Sequence, residues 1–387
     1  MTEVVFPNEA GALLQMRAAA LLRETGVAIE QLGAIKPAAL RKRVELRLAT
    51  DLESRRQDLR KLLDGGGGPL SDGAWNKLHR LRTELDALFE ETLALMEGAA
   101  LRKAGLDGGC LLADRLADEI SVLTPENWNA FTVLDTDEFY AGSTRVIRVR
   151  FPADSFWDLP VVAHEFGHFV GTTLTVMRRG KEVLALEEEL ADAGSPDHRS
   201  WLHESFADVF ATYVIGPAYG LSCAFERFNP VAADKDDDHP APNTRLALIE
   251  GVLAAYADGH PHDGYDRMIS RIHDVWAAQT TEAGVHGTIG LREPFGRWLA
   301  FSLGLLRAAL PLAAYDGWWR TTVLAKQLGD GERVDDVTKW SLRDIVNAAW
   351  LARTVAPGGE ATDRIAQRAH ALAELRCLEV RDVRHPK

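Results

Sequence analysis

Residues 161–170 read VVAHEFGHFV and contain two histidines, His164 and His168, four positions apart. On an α-helix this spacing places both imidazoles on one face, where they can bind the same cation. The flanking residues are uncharged and mostly apolar, as a buried helix requires, and Pro160 suits a helix start. We therefore predict a buried helix that carries two zinc ligands. The alternative is a core helix with two surface or hydrogen-bonded histidines.

Glu165 directly follows the first histidine and would face the coordination position that the protein ligands leave open. From there a carboxylate can take a proton from a zinc-bound water and pass it to the leaving amine of a peptide. We therefore predict that Glu165 is the general base of a hydrolytic reaction.

A third ligand must come from another part of the chain, because catalytic zinc sites usually have three protein ligands. A histidine at position 174 would complete one known arrangement, but that position is leucine. Glu204 and Asp208 lie four residues apart, on one face of a predicted helix. We predict that Glu204 binds the zinc and that Asp208 orients a ligating histidine. The adjacent His203 would point about 100° away from Glu204, so only one of them should face the metal.

With these residues in place, the sequence resembles the gluzincin metallopeptidases, and two subgroups in particular. The features similar to the HtpX and CAAX-prenyl-protease type are Asn129-Ala130-Phe131, His164-Glu165-x-Gly167-His168, Glu204-x-x-Ala207-Asp208, and His239-Pro240 with Arg245. The run from Glu204 to Ala211, followed by Pro217, resembles the ImmA/IrrE type of peptidase. The resemblance spans about residues 125–250.

The resemblance implies one Zn²⁺ per chain and the same zinc ligands and general base as the residues themselves suggest. It also implies that Asp208 supports a zinc-binding histidine. A small zincin-type β-sheet would lie next to the HExxH helix. In such families an edge strand of this sheet receives the substrate as an additional strand, and Asn129, Ala130 and Phe131 would have that role here.

Two residues further along the chain are weaker candidates. By the same resemblance, His239 could stabilise the negative charge that develops on the carbonyl oxygen during peptide hydrolysis, with Arg245 fixing the loop. The alternative is a proline-rich loop that caps a helix beginning near Thr244, with Arg245 paired to a nearby aspartate. Both interpretations stay open at the level of sequence.

Composition excludes several other classes of protein. Of the 387 residues, 46% are hydrophobic and 26% charged, and the formal net charge is −13, which argues against a main role in binding nucleic acid or anionic lipid. Three widely spaced cysteines make a disulfide scaffold or a thiolate zinc site improbable. We find neither a secretory signal nor a run of about 20 apolar residues that could span a bilayer. We therefore expect a cytoplasmic protein without a membrane or nucleic-acid partner.

Helical periodicity dominates the chain and predicts an α+β fold that is mainly helical. We expect a helical N-terminal module at 1–105, a catalytic core at 106–260 and a helical C-terminal region at 261–387. Period-two alternation predicts strands at 129–134 and 145–151, joined as a hairpin. Leucine spacing in the N-terminal module predicts two antiparallel helices, which either pack internally or recruit a protein partner.

These observations predict a zinc-dependent intracellular endopeptidase that hydrolyses peptide bonds of protein or peptide substrates. The N-terminal helices could cover the cleft and so gate access to it. A catalytically silent scaffold, with a structural zinc and a function carried by its helical modules, is the main alternative. An exopeptidase that trims short peptides is a third possibility.

Overall fold

The computed structural model describes residues 12–33, 48–64, 72–105, 108–124, 132–135, 139–141, 146–150, 156–193, 198–234, 239–259, 264–285, 288–355 and 359–384. The chain divides into two compact units. The first comprises Met1–Asp107, Val133–Asp137 and Ala141–Arg148, and the second comprises Gly108–Thr132, Glu138–Tyr140 and Val149–Lys387. The predicted boundary between the catalytic core and the C-terminal region, at residues 260 and 261, therefore lies within the second unit.

The first unit contains three described helices, and the last two correspond to the pair predicted from the leucine spacing. They are α1 (Ala12–Gly33), α2 (Leu48–Asp64) and α3 (Asp72–Lys103). All three pack against one another. The regularly spaced leucines supply the core of this unit, and those that are buried include Leu48, Leu52, Leu78, Leu81, Leu85 and Leu95.

The central strands form a three-stranded sheet rather than the predicted two-stranded hairpin. The strands are β1 (Thr132–Asp135), β2 (Phe139–Ala141) and β3 (Val146–Arg150), in the order β1-β3-β2. The additional strand β2 lies within the segment predicted to be a turn. Its aromatic residues favour extended structure, which explains why turn formers on either side do not prevent pairing.

The helix that carries the two histidines is shorter than predicted. Helical periodicity in the sequence predicts a helix over 161–176, but α5 spans Leu159–Gly171 and is followed by a second sheet of two strands, β4 (Thr175–Arg178) and β5 (Lys181–Leu184). The run of β-branched residues after Gly171 favours strand over helix. A tight turn with positive φ at Arg179 and Gly180 joins the antiparallel strands, as in many hairpins.

The second unit is built mainly of helices. In addition to α5 they are α4 (Gly108–Val122), α6 (Ala185–Ala193), α7 (Arg199–Ile215), α8 (Pro217–Ser222), α9 (Pro242–Ala257), α10 (Tyr265–Glu282), α11 (Phe295–Ala309), α12 (Trp318–Asp330), α13 (Leu342–Val355) and α14 (Gly359–Arg384). Helix α7 is central, because α5, α8, α9 and α11 all pack on it. The prediction of a mainly helical α+β fold is confirmed.

Helix α12 was not predicted from the sequence. Its buried positions, which follow helical spacing, are Trp318, Thr321, Leu324, Ala325 and Leu328. Because a threonine and an alanine occupy two of these five positions, the apolar stripe is weak in the sequence and becomes evident only through burial.

Among the described residues, no single helix is both long and apolar enough to cross a membrane. One bent pair, Phe295–Ala309 with Pro311–Asp330, meets the criteria of length and composition only when its two parts are taken together.

Candidate metal centre

The centre forms where α5 and α7 approach each other closely. A Cβ atom at Gly167 would lie 2.9 Å from Cα of Ala207, nearer than side chains normally come to backbone. One turn later, a Cβ atom at Gly171 would lie 2.9 Å from the side chain of Leu186 and 3.0 Å from that of Phe206. The missing side chains let the histidine face of α5 pack directly against the acidic face of α7.

Three predicted ligands converge at this contact. Nε2 of His164 lies 3.4 Å from Oε2 of Glu204, and Nε2 of His168 lies 3.3 Å from Oε1 of the same carboxylate. The three potential ligand atoms all lie within 4.8 Å of one another. His203, the alternative ligand, is not a member of this group.

The donor set fits a zinc ion. Two ligands that are each about 2.1 Å from a tetrahedral centre are separated by about 3.4 Å, and each histidine nitrogen lies at about this distance from one of the two oxygens of Glu204. Oε2 of Glu204 is buried, and its neighbour Nε2 of His164, at 3.4 Å, does not form a well-aligned hydrogen bond with it. A buried carboxylate oxygen without a hydrogen-bond donor is costly, and a cation would satisfy it.

Asp208 contacts the other side of the first histidine. Its Oδ1 atom lies 3.1 Å from Nδ1 of His164, and its side chain is completely buried. Arg245, from α9, donates two hydrogen bonds to this carboxylate, from Nε at 2.7 Å and from Nη2 at 2.8 Å. Asp208 therefore links the predicted metal ligand to a buried cation, and Arg245 pairs with this aspartate of α7, 37 residues away in the sequence.

A further residue in the centre, Tyr219 of α8, was missed by the sequence analysis. Its hydroxyl donates a hydrogen bond of 2.5 Å to Oδ1 of Asp208 and lies 3.0 Å from Nδ1 of His164. The tyrosine ring also stacks on the imidazole, with centroids 5.9 Å apart and planes at 13°. A lone tyrosine 11 residues beyond Asp208 gives no signal by spacing; only the position of Pro217, just before it, marks a helix start nearby.

The charges of the group depend strongly on one another. Burial alone would lower the pKa of His164, but the carboxylates of Asp208 and Glu204 raise it to about 10. Burial, together with the neighbouring His164, lowers the pKa of His168 to about 3. Burial would raise the pKa of Glu204, yet the two histidines and Arg245 lower it to about 2. Without a metal, positive charge is thus concentrated on the His164 ring, between the two carboxylates.

Glu165 lies on α5 directly after His164 and is 7% exposed. Adjacent helical positions differ in direction by about 100°, so this carboxylate points to a different side of the helix from the imidazole. Glu165 thus lies on the predicted helix and directly follows the first histidine, as expected for the general base. Its role in proton transfer stays a prediction.

His239 reaches the edge of the centre. Its Nε2 atom lies 3.6 Å from Oε1 of Glu204, and its side chain is 53% exposed. Asn243, at the start of α9, anchors the loop: its backbone N–H bonds to the carbonyl of Ala233 at 2.9 Å, and its amide donates to Asp234 at 2.6 Å. His239 therefore lies beside the Glu204 carboxylate with about half of its side chain exposed to solvent.

The structure brings together most of the residues singled out in the sequence. His164, His168, Glu204, Asp208, His239 and Arg245 meet in one group. Asn129, Ala130 and Phe131, the predicted substrate-binding residues, lie outside the described ranges, so that prediction is neither supported nor opposed by the geometry. Comparison with known proteins gave no match: no family model fits the chain, and no curated protein and no solved structure is significantly similar to it.

Proposed function

We propose that this protein is a zinc-dependent endopeptidase in which His164, His168 and Glu204 bind the ion. The observation that carries the proposal is the convergence of two imidazole nitrogens on one carboxylate, one oxygen of which is buried without a well-aligned hydrogen bond from the described residues. Two histidines from one helix and a glutamate from another form one of the ligand sets of catalytic zinc.

Solvent access favours a catalytic site over a structural one. Structural zinc sites are usually closed by four protein ligands, whereas catalytic sites keep one position open. The described group contains three ligands, and none of them is a cysteine. His168 is 20% exposed and the neighbouring His239 is 53% exposed, so one side of the group faces solvent.

A zinc ion in such a site polarises a carbonyl group and makes water acidic enough to lose a proton near neutral pH. Glu165 would accept that proton on its carboxylate and then donate it to the nitrogen of the leaving amine. His239, at the solvent side of Glu204, would donate a hydrogen bond to the carbonyl oxygen as negative charge develops on it. Asp208 would keep His164 oriented while Arg245 neutralises the buried aspartate.

The substrate part of the proposal rests on the resemblance to gluzincins. An extended polypeptide would add as a strand to a zincin-type sheet, along the edge that includes Asn129, Ala130 and Phe131. We further propose that the helices of the first unit regulate access of protein substrates. A truncation that removes residues 1–105, stays folded and leaves turnover unchanged would contradict this regulatory role.

The first experiment measures zinc in the purified protein and in Glu204→Ala. We expect about one zinc per chain in the wild type and a large loss in the variant. Glu282→Ala, at the exposed end of α10, is the matched control and should retain its zinc. A wild type that binds no zinc even after supplementation would overturn the proposal.

The second experiment separates an enzyme from a scaffold with a structural zinc. Wild type and Glu165→Gln are incubated with a library of quenched fluorescent peptides with blocked termini. We expect the wild type to cleave members of the library and the variant to retain zinc while losing cleavage by at least 100-fold. Equal cleavage by both proteins would exclude Glu165 as general base, and no cleavage by a zinc-loaded wild type would favour the scaffold.

A further inference from the structure

We propose that Tyr219 is a positioning residue, whose hydroxyl acts with Asp208 to hold the His164 ring in the tautomer and orientation that turn Nε2 towards the metal. This inference rests on the proposed metal centre, but it assigns a role to a residue outside the ligand set and outside the motifs in the sequence. It concerns metal binding and not the cleavage of peptides.

The contacts of the hydroxyl fix the location of its proton. The oxygen lies 2.5 Å from Oδ1 of Asp208 and 3.0 Å from Nδ1 of His164. A tyrosine hydroxyl has one proton to donate. Asp208 also receives two hydrogen bonds from Arg245 and is ionised, so its carboxylate can only accept. The tyrosine therefore donates to Asp208.

The imidazole must then supply the hydrogen between itself and the hydroxyl. The two polar groups nearest to Nδ1 are the tyrosine oxygen, which has already donated its proton, and the carboxylate oxygen of Asp208 at 3.1 Å. Both are acceptors, so Nδ1 carries a hydrogen atom. In a neutral imidazole the lone pair is then on Nε2, the atom that faces Glu204.

The backbone holds Tyr219 in this place by a tight turn. Gly216, between α7 and α8, has φ of 87°, a conformation that other residues rarely adopt. The buried amide of Asn347, on α13, fixes the two sides of the turn: its oxygen accepts from the N–H of Ala218 at 2.9 Å, and its nitrogen donates to the carbonyl of Ile215 at 2.6 Å. The turn directs Tyr219 back towards α5.

Packing alone does not account for a tyrosine at this position. The ring stacks on His164 and is 2% exposed, and a phenylalanine would fill the same volume and preserve the stacking. Only the hydroxyl distinguishes the two side chains, and it contacts both the predicted ligand and that ligand's carboxylate partner, with the buried thiol of Cys223 beside it.

The test compares the zinc affinity of wild type, Tyr219→Phe and Tyr265→Phe by competition with a chromophoric chelator at pH 7. We expect Tyr219→Phe to bind zinc about 10- to 100-fold more weakly, as for other groups that orient zinc-binding histidines. Tyr265→Phe is the matched control, since Tyr265 is equally buried and its hydroxyl donates to the carbonyl of Tyr315 at 3.2 Å. The control should bind within twofold of wild type.

A second readout is independent of stability. Cobalt(II) replaces zinc in each protein, and its visible absorption bands report ligand geometry; we expect a shift in Tyr219→Phe and none in Tyr265→Phe. If Tyr219→Phe does not fold, ¹⁵N NMR of the wild-type histidines decides: a slowly exchanging proton on Nδ1 of His164 supports the inference, and a rapidly exchanging one contradicts it.

The outcomes separate this inference from the peptidase proposal. Tyr219→Phe with wild-type affinity, or both variants weakened equally, would overturn the role of Tyr219 and leave the peptidase intact. A wild type that binds no zinc would overturn both. A wild type that binds zinc but cleaves no peptide would contradict the peptidase, while the affinities would still decide the role of Tyr219.

Discussion

The guanidinium of Arg245 forms two hydrogen bonds with the carboxylate of Asp208, at 2.7 and 2.8 Å, inside the second unit. Asp208 is completely buried and Arg245 nearly so, at 13% side-chain exposure. A bidentate contact of this kind keeps a buried carboxylate ionised without water. It allows Asp208 to accept hydrogen bonds from Tyr219 and His164 at the same time, so the predicted metal ligand is held by a network that reaches into α9.

The ionisation of Asp208 should make stability depend on pH. Burial alone would raise the pKa of this carboxyl, but Arg245 and His164 hold it well below the usual value. In the unfolded chain an aspartate has a pKa of about 3.9, so the stabilisation is complete above that pH and is lost as the pH falls below it. We expect the difference in free energy of unfolding between wild type and Asp208→Asn to be smaller at pH 3.5 than at pH 7, measured with urea. If the difference in free energy of unfolding were the same at both pH values, the stabilisation would not depend on the ionised Asp208.

A methyl group at position 167 should separate α5 from α7. Gly167→Ala places Cβ 2.9 Å from Cα of Ala207, and overpacking of this kind costs about 1–3 kcal/mol. Because the same contact brings the ligands together, zinc affinity should fall as well. Gly304→Ala is the control: it lies on α11, has nothing within 4 Å of the added Cβ, and should stabilise by up to about 1 kcal/mol. If urea unfolding showed equal stability for the two variants, the close approach of Gly167 to Ala207 would not limit the size of the side chain at position 167.

Zinc should stabilise the folded protein by mass action. A ligand that binds only the native state contributes about 4 kcal/mol at a concentration 1,000 times its Kd. We therefore expect added zinc to raise the Tm of the metal-free wild type in differential scanning calorimetry. His168→Ala should respond much less, because it lacks one ligand. The same increase in both proteins would place the stabilising ion elsewhere.

Loss of the Asn347 side chain should weaken the turn that precedes Tyr219. Asn347→Ala leaves the buried N–H of Ala218 and carbonyl of Ile215 without their partner, which should cost about 2–4 kcal/mol. Asn229→Ala removes one exposed hydrogen bond, to the N–H of Val231, and should cost about 1 kcal/mol or less. Chemical denaturation of both variants tests the difference. If both variants lost the same free energy of unfolding, burial of the Asn347 amide would not explain its contribution to stability.

Much of the candidate site could be predicted because its parts lie within single helices. Residues four apart share a helical face, so the spacing of His164 and His168, and of Glu204 and Asp208, was sufficient to pair them. The periodicity of residues 200–215 likewise predicts a helix, and α7 spans Arg199–Ile215. Helix α12 and strand β2 could not be predicted in the same way, because their apolar patterns are weak or short.

The amino-acid sequence by itself determined much of the local arrangement of this protein: where most of the helices lie, and which of their faces carry imidazoles and carboxylates. Tertiary structure alone decided the partners of those groups. Tyr219 reaches His164 through a turn that is fixed by Asn347, which lies 129 residues beyond Ala218. Helical periodicity depends on neighbours within about one turn and is visible in a short window of sequence. Contacts between distant segments depend on how all the helices pack, and no such window contains them.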